Sequence, residues 1–171
     1  MTCIAGIAHN GTVYIGGERS AADDVSITTL AVPKVCIKGD WIYGYAGSYG
    51  IGQLMDLVTL PPAGKNPYIT LRTVVVERLK ETISLYSREA EKDNDTCWLV
   101  GSGGRLFEFH HSDFSVIEVT TTAIGSGANL ALGSLYTTQD WKNQDKRIHT
   151  AISAAITYSP TCQGPIDTFS L

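Results

Sequence analysis

The chain has 171 residues, of which 43% are hydrophobic and 18% charged, and a formal net charge of −4. That length fits one domain over 1–171, able to bury roughly 70% of its unfolded surface without disulfides or metal, and the composition excludes a disordered chain. The net acidity argues against a nucleic-acid binder, which carries a basic patch or stripe.

No stretch reaches the roughly 20 apolar residues of a membrane span, and the first residues lack the charged-then-apolar pattern of a secretion signal. A cytoplasmic protein with no membrane partner is therefore expected. Cys3, Cys36, Cys97 and Cys162 are too far apart in sequence for a zinc or redox motif. They read as small core residues in a reducing compartment, and neither metal nor cofactor is expected.

The first element is an apolar strand, Thr2 to Ala8, and Asn10-Gly11 is a strong hairpin signal because both residues accept the positive φ of a primed turn. Thr12 to Gly17 is the paired arm. Both arms are apolar on both faces, so the hairpin belongs inside a layered protein. Thr2 is then fixed at the end of a core strand. A threonine hydroxyl needs a neighbouring base to act as a nucleophile, and an N-terminal threonine has one in its own α-amine. Removal of Met1, which the small size of threonine favours, would create that arrangement.

Glu18 to Asp24 reads as a loop leaving the sheet. A second hairpin pairs Val32 to Lys38 with Trp41 to Ala46 through Gly39-Asp40. Period two places Lys34 on the face of Val32 and Cys36, where lost solvation would lower its pKa. Gly47 to Gly50 breaks the strand, and Ile51 to Leu60 is expected to be helical until Pro61-Pro62. A long helix follows from Thr70 to about Lys92, with Leu71, Val75, Leu79, Ile83 and Tyr86 as its apolar stripe.

Asp93-Asn94-Asp95 ends that helix. Strands Thr96 to Gly101 and Arg105 to His110 meet at Ser102-Gly103-Gly104, a turn without the Gly-Lys-Ser/Thr tail of a phosphate loop. Phe114 to Thr122 is one further strand. Gly125-Ser126-Gly127 leads into a helix, gathering backbone N–H groups and the Ser126 hydroxyl around one point. Asp145 to Tyr158 is the last helix, and Pro165 to Leu171 a short end. The order gives an α+β chain whose antiparallel strands stack as two sheets with helix pairs outside. His9, His110, His111 and His149 fall in turns, strand ends or helix faces, and no Gly-x-Ser-x-Gly elbow exists for a serine triad. The adjacent His110 and His111 point to opposite faces of a strand and cannot chelate one metal together.

Thr2, Glu18, Lys34, Ala46-Gly47 and Gly125-Ser126-Gly127 resemble, in type and spacing, the proteasome β subunits and the peptidase subunit of the bacterial ATP-dependent two-component protease. Both are N-terminal-nucleophile hydrolases, and the resemblance covers the whole chain. It implies a four-layer α-β-β-α sandwich and a threonine-type peptidase. Thr2 would be the nucleophile and its freed amine the base. Lys34 would lower the pKa of the nucleophilic site, Glu18 would hold Lys34, the Gly47 N–H would be the oxyanion donor, and Ser126 would complete the network near the amine. The implied partners are unfolded protein or peptide substrate, copies of the chain in a ring of six or seven stacked in pairs, and an ATP-dependent unfoldase. Two departures stand out: Glu18 replaces the family's usual aspartate, and Ser159 and Cys162 stand where many members have an aspartate and then a serine. The second departure, the missing acid near Cys162, leaves a second expectation, a catalytically silent shell or scaffold subunit, whereas Thr2, Glu18 and Lys34 together speak for the peptidase.

Overall fold

The computed structural model describes residues 2–22, 25–86 and 96–171. Strands β1 (Ile4–His9) and β2 (Thr12–Glu18) form the first hairpin, with Asn10 at φ 49° and Gly11 at φ 80° as expected for a primed turn. Their sheet is completed by β10 (Thr121–Ile124) on one side and β11 (Ile166–Ser170) on the other. The second sheet runs in the order β5 (Val35–Lys38), β6 (Trp41–Ala46), β7 (Cys97–Ser102), β8 (Arg105–His110) and β9 (Val116–Val119). All the pairings are antiparallel.

Buried side chains gather in three clusters. Ile4, Val13 and Ile15 of the first sheet meet Ile42, Leu99 and Leu106 of the second. At the strand ends, a side chain on Gly104 would collide with the backbone of Gly11, so the turns of the two hairpins touch. The opposite side of the first sheet presents Cys3, Ala5 and Ile7 to α4 (Ala128–Thr137) and α5 (Gln144–Tyr158), through Ala131, Leu135, Ile148 and Ile152. The opposite side of the second sheet presents Tyr43, Trp98, Phe107 and Phe109 to the remaining helices, through Met55, Leu71, Val75 and Leu79. Fully burying one such large side chain stabilises by about 1.5–3 kcal/mol.

Several expectations are corrected. The polar run after Glu18 is no simple loop: β3 (Ser20–Ala22) pairs with β4 (Ile27–Thr29), while Asp23 and Asp24 lie outside the described residues. Lys34 precedes β5 instead of lying within it, because Pro33 has no N–H to give a ladder. It is buried, whereas Val32 is 63% exposed, so the shared face was the wrong reason for the burial. The Ile51 to Leu60 helix starts and stops earlier: α1 spans Tyr49–Gln53, capped by the Ser48 hydroxyl, and a 3₁₀ turn covers Leu54–Leu57.

The long helical run begins at Pro67, which suits a first helical turn, and contains a π segment between α2 (Pro67–Thr70) and α3 (Val76–Tyr86). Apolar residues four apart overshoot a 3.6-residue turn, and the wider π turn at Leu71–Val75 takes up the excess. Tyr86 is 69% exposed and so leaves the expected stripe. The expected end of the helix, at 87–95, lies outside the described residues.

The strand expected over Phe114 to Thr122 is two strands in different sheets. Val119 pairs with Leu106 and Thr121 with Ile7, so the chain changes sheets at Thr120, whose carbonyl accepts the Ala8 N–H at 2.8 Å. The C-terminal end is also a strand, pairing with β2 from Ile166↔Glu18 to Ser170↔Tyr14. The Arg19 guanidinium clamps its Asp167 carboxylate through two 2.6 Å bonds.

Candidate active site

Thr2 lies just ahead of β1, and pairing carries its neighbour Cys3 to the end of β2. The Glu18 N–H donates to the Cys3 carbonyl at 3.4 Å, and the Cys3 N–H donates back to Glu18 Oε1 at 3.0 Å. Lys34 arrives from the segment before β5. Its ammonium donates to Thr2 Oγ1 at 2.7 Å and to Glu18 Oε1 at 2.9 Å. The Lys34 and Glu18 side chains are wholly buried, and Thr2 is 2% exposed.

A charge pair this deep survives only when its remaining hydrogen-bonding capacity is used. Glu18 meets that condition, since Oε2 accepts from the Ser20 N–H while Oε1 serves Cys3 and Lys34. Burial holds the Lys34 pKa below its ordinary 10.5, and the charge and hydrogen bond of Glu18 oppose that depression. The Tyr49 ring stands 5.7 Å from the Lys34 ammonium, and its hydroxyl donates to the Ser20 carbonyl at 2.6 Å.

Ser126 comes from the turn between β10 and α4. Its Oγ accepts from Thr2 N at 3.2 Å and lies 3.4 Å from the Thr2 carbonyl oxygen, which also accepts the Gly127 N–H at 3.2 Å. Gly125 makes this approach possible. At φ 92° it is strained for an L side chain, and a Cβ there would fall on the Thr2 carbonyl. From Ser126 a line of hydroxyls continues to Thr161 Oγ1 at 2.8 Å and on to Ser159 Oγ at 3.0 Å.

Thr2, Glu18, Lys34 and Ser126 are thus joined directly. Gly47, at φ 110°, stands beside them through its neighbour: the Cβ position of Gly125 is close to both the Ala46 side chain and the Thr2 carbonyl. Thr161 and Tyr49 were not foreseen. Thr161 lies between the two flagged positions Ser159 and Cys162, and nothing in its spacing marked it. Tyr49 follows the Gly47-Ser48 break and was read only as part of it. Cys162 joins Cys3 against Gly127 in the core, and burial pushes the Cys3 thiol well above its ordinary range. A cavity of about 590 Å³ opens next to Lys34, lined in part by Val35, Tyr45, Gln53 and Asp56.

No protein-family model matches the sequence, and no curated protein matches it. Solved structures do match the fold. BPH of Thiobacillus denitrificans, in complex with epoxomicin, superposes with a TM-score of 0.84 at 16% identity, covering 99% of this chain and 98% of that one. Eukaryotic HslV from Trypanosoma brucei gives 0.78 at 20% identity, covering 99% of each. A Gly-1 mutant of Anbu from Hyphomicrobium sp. strain MC1 gives 0.73 at 16% identity, covering 98% of this chain and 80% of that one. The likeness is one of fold, and it is the HslV and proteasome-like fold that the sequence resemblance implied.

Proposed function

We propose that this chain is a threonine-type peptidase of the proteasome-like, N-terminal-nucleophile class, with Thr2 as nucleophile once Met1 is removed. The observation that carries the proposal is the buried lysine that donates to the Thr2 hydroxyl and to Glu18 at once. A cation beside a hydroxyl and an amine favours the deprotonated form of each.

In the processed chain the freed Thr2 amine takes the proton from Oγ, directly or through a water, as Oγ attacks a peptide carbonyl. The Gly47 N–H donates to the resulting oxyanion, an interaction worth roughly 3–4 kcal/mol in a dry site. Collapse of this intermediate passes the proton to the departing amine and leaves an ester on Thr2, which water then hydrolyses. Ser126 holds the amine in place, and Ser159, linked to it through Thr161, stands where many of the family's members carry an aspartate.

The architecture assigned with this function is one domain of four layers. Helices α1 to α3 lie against the β5 to β9 sheet, the two sheets face each other, and α4 and α5 cover the β1–β2 sheet. The three separate hydrophobic clusters support that order. A peptidase of this kind is kept from bystander proteins by enclosure. The proposal therefore includes a homo-oligomeric ring of six or seven subunits stacked in pairs, with unfolded peptide as substrate and an ATP-dependent unfoldase as partner. Exposed Leu85, Tyr136 and Tyr158 offer apolar surface for subunit contacts. Light scattering should show the oligomer; a monomer at micromolar concentration would remove the enclosed chamber from the proposal.

The competing reading, a silent shell subunit, is favoured by Ser159 in the place of an aspartate. The two readings separate on an epoxyketone such as epoxomicin, the compound bound in the Thiobacillus BPH structure. The processed protein should form one covalent adduct per chain by intact mass and lose the adduct in Thr2→Ala. Processed, oligomeric protein that neither cleaves unfolded peptides nor takes the label is a shell subunit.

A further inference from the structure

We propose that Cys97, Glu108 and His110 form a binding site for a divalent transition ion of zinc's chemistry, separate from Thr2 and independent of the peptidase reading. The pairing of β7 with β8 sets Cys97 directly opposite His110. Glu108 lies two residues before His110 and so projects from the same face of β8. One ligand atom from each residue lies within 4.8 Å of the others, and His110 Nε2 is 2.9 Å from Glu108 Oε1. Bonds of about 2.0–2.3 Å to sulfur, nitrogen and oxygen call for ligands gathered on this scale.

The donor set narrows the choice of ion. A thiolate and an imidazole with a single carboxylate suit zinc and disfavour magnesium or calcium, which take oxygen ligands. Once the thiol proton has left to solvent, thiolate and carboxylate together carry two negative charges, matching a divalent ion with neutral His110. The surroundings also fit. The Thr122 hydroxyl donates to Glu108 Oε2 at 3.0 Å, which fixes the carboxylate and leaves Oε1 toward the histidine. Cys97 Sγ makes only a long 3.8 Å contact with the Trp98 carbonyl. Burial and the charge of Glu108 favour its protonated form, so the ion itself must displace the thiol proton. Cys97 is nearly buried, whereas the His110 and Glu108 side chains are 34% and 21% exposed. Three protein ligands with one open side leave a fourth position for water.

Such an ion would tie β7 to β8 and, through Thr122, to β10. That junction lies one strand from Ala46, the pairing partner of Cys97. Linear spacing hid the site, because its cysteine and histidine are brought together by strand pairing.

The test uses the full chain, stripped with chelator and titrated with Zn²⁺ by calorimetry and with Co²⁺ by absorbance. One equivalent should bind, with a sulfur-to-cobalt charge-transfer band and the visible bands of a four-coordinate ion. Cys97→Ser should abolish the charge-transfer band, and His110→Gln, at a partly exposed position, should weaken Zn²⁺ at least tenfold. Thr122→Val should weaken it about 10–100-fold. Cys36→Ser should change nothing. Absence of the sulfur band from the unaltered chain, or a Zn²⁺ affinity unchanged in both Cys97→Ser and His110→Gln, overturns the proposal and leaves a close histidine–glutamate contact beside a core cysteine.

Discussion

Lys34 reaches Thr2 across 32 residues of chain and ends with its ammonium 2.7 Å from the hydroxyl oxygen, its own side chain and that of Glu18 wholly buried. The same ammonium meets Glu18, so removing Lys34 has two separable consequences. Lys34→Ala leaves Glu18 as an uncompensated buried charge and should destabilise by about 3–5 kcal/mol. Lys34→Met fills the space with apolar atoms and should pair with Glu18→Gln to recover most of that loss while staying inactive. Urea unfolding of the single and double variants, set beside peptide hydrolysis, checks both. Full activity in either Lys34 variant would show that the lysine has no part in the chemistry.

Under the proposed mechanism, which uses Lys34 as a cation, its depressed pKa predicts an alkaline limb in kcat/KM below the 10.5 of an ordinary lysine. Glu18 raises the Lys34 pKa by charge and hydrogen bond, so Glu18→Gln should move that limb to lower pH. Stability runs the other way. Between the depressed folded value and 10.5 the unfolded chain binds more protons than the folded one, so the Lys34 contribution to stability rises with pH across that window. Activity profiles and urea midpoints measured over the same range test the two opposed slopes. A limb unmoved by Glu18→Gln would separate it from Lys34.

The hydroxyl line from Ser159 through Thr161 to Ser126 predicts a graded effect. Thr161→Val keeps the shape and removes both links, at 2.8 and 3.0 Å. With each net hydrogen bond worth about 0.5–1.5 kcal/mol, losing both should lower activity roughly 5–150-fold. The same change should leave the unfolding midpoint nearly unmoved, because Ser126 is exposed and water can replace the lost partner. Loss of folding together with activity would make Thr161 a structural residue.

Much of this was legible in the sequence because the signals were local. Asn10-Gly11 demanded its turn, the apolar hairpin fixed the end of β1, and Gly125-Ser126-Gly127 stood before a helix. The change of sheet at Thr120 left no mark, since a run of threonines suits either partner and the pairing depends on residues far away in sequence. Strand β11 was missed for a similar reason. Asp167 and Thr168 look like a polar tail until Arg19 and the free edge of β2 are placed beside them. Strand alternation first singled out Lys34, yet it lies ahead of β5, and its buried ammonium is held by Thr2 and Glu18, residues remote in sequence.

The fate of Met1 should decide activity outright. In a chain that begins with Met1, Thr2 N belongs to a peptide bond, donates to Ser126 Oγ and has no lone pair to act as a base near neutral pH. Once Met1 is gone, the same nitrogen is an amine with a reference pKa of about 7.7–8.0, pulled lower by the Lys34 cation beside it. Peptide hydrolysis should therefore track the fraction of chains that begin with Thr2, measured by intact mass, and rise when a methionine aminopeptidase is supplied. The acidic limb of kcat/KM in processed chains should fall below the reference value, because the amine must be neutral to accept the proton. Cys3 offers a control, since it would be the first residue if two residues were lost. That chain keeps a nucleophilic side chain, but it has lost the hydroxyl that Lys34 contacts, so it should be inactive. Hydrolysis that persists in chains shown by mass to retain Met1 would rule out the amine as base and require another group to take the proton.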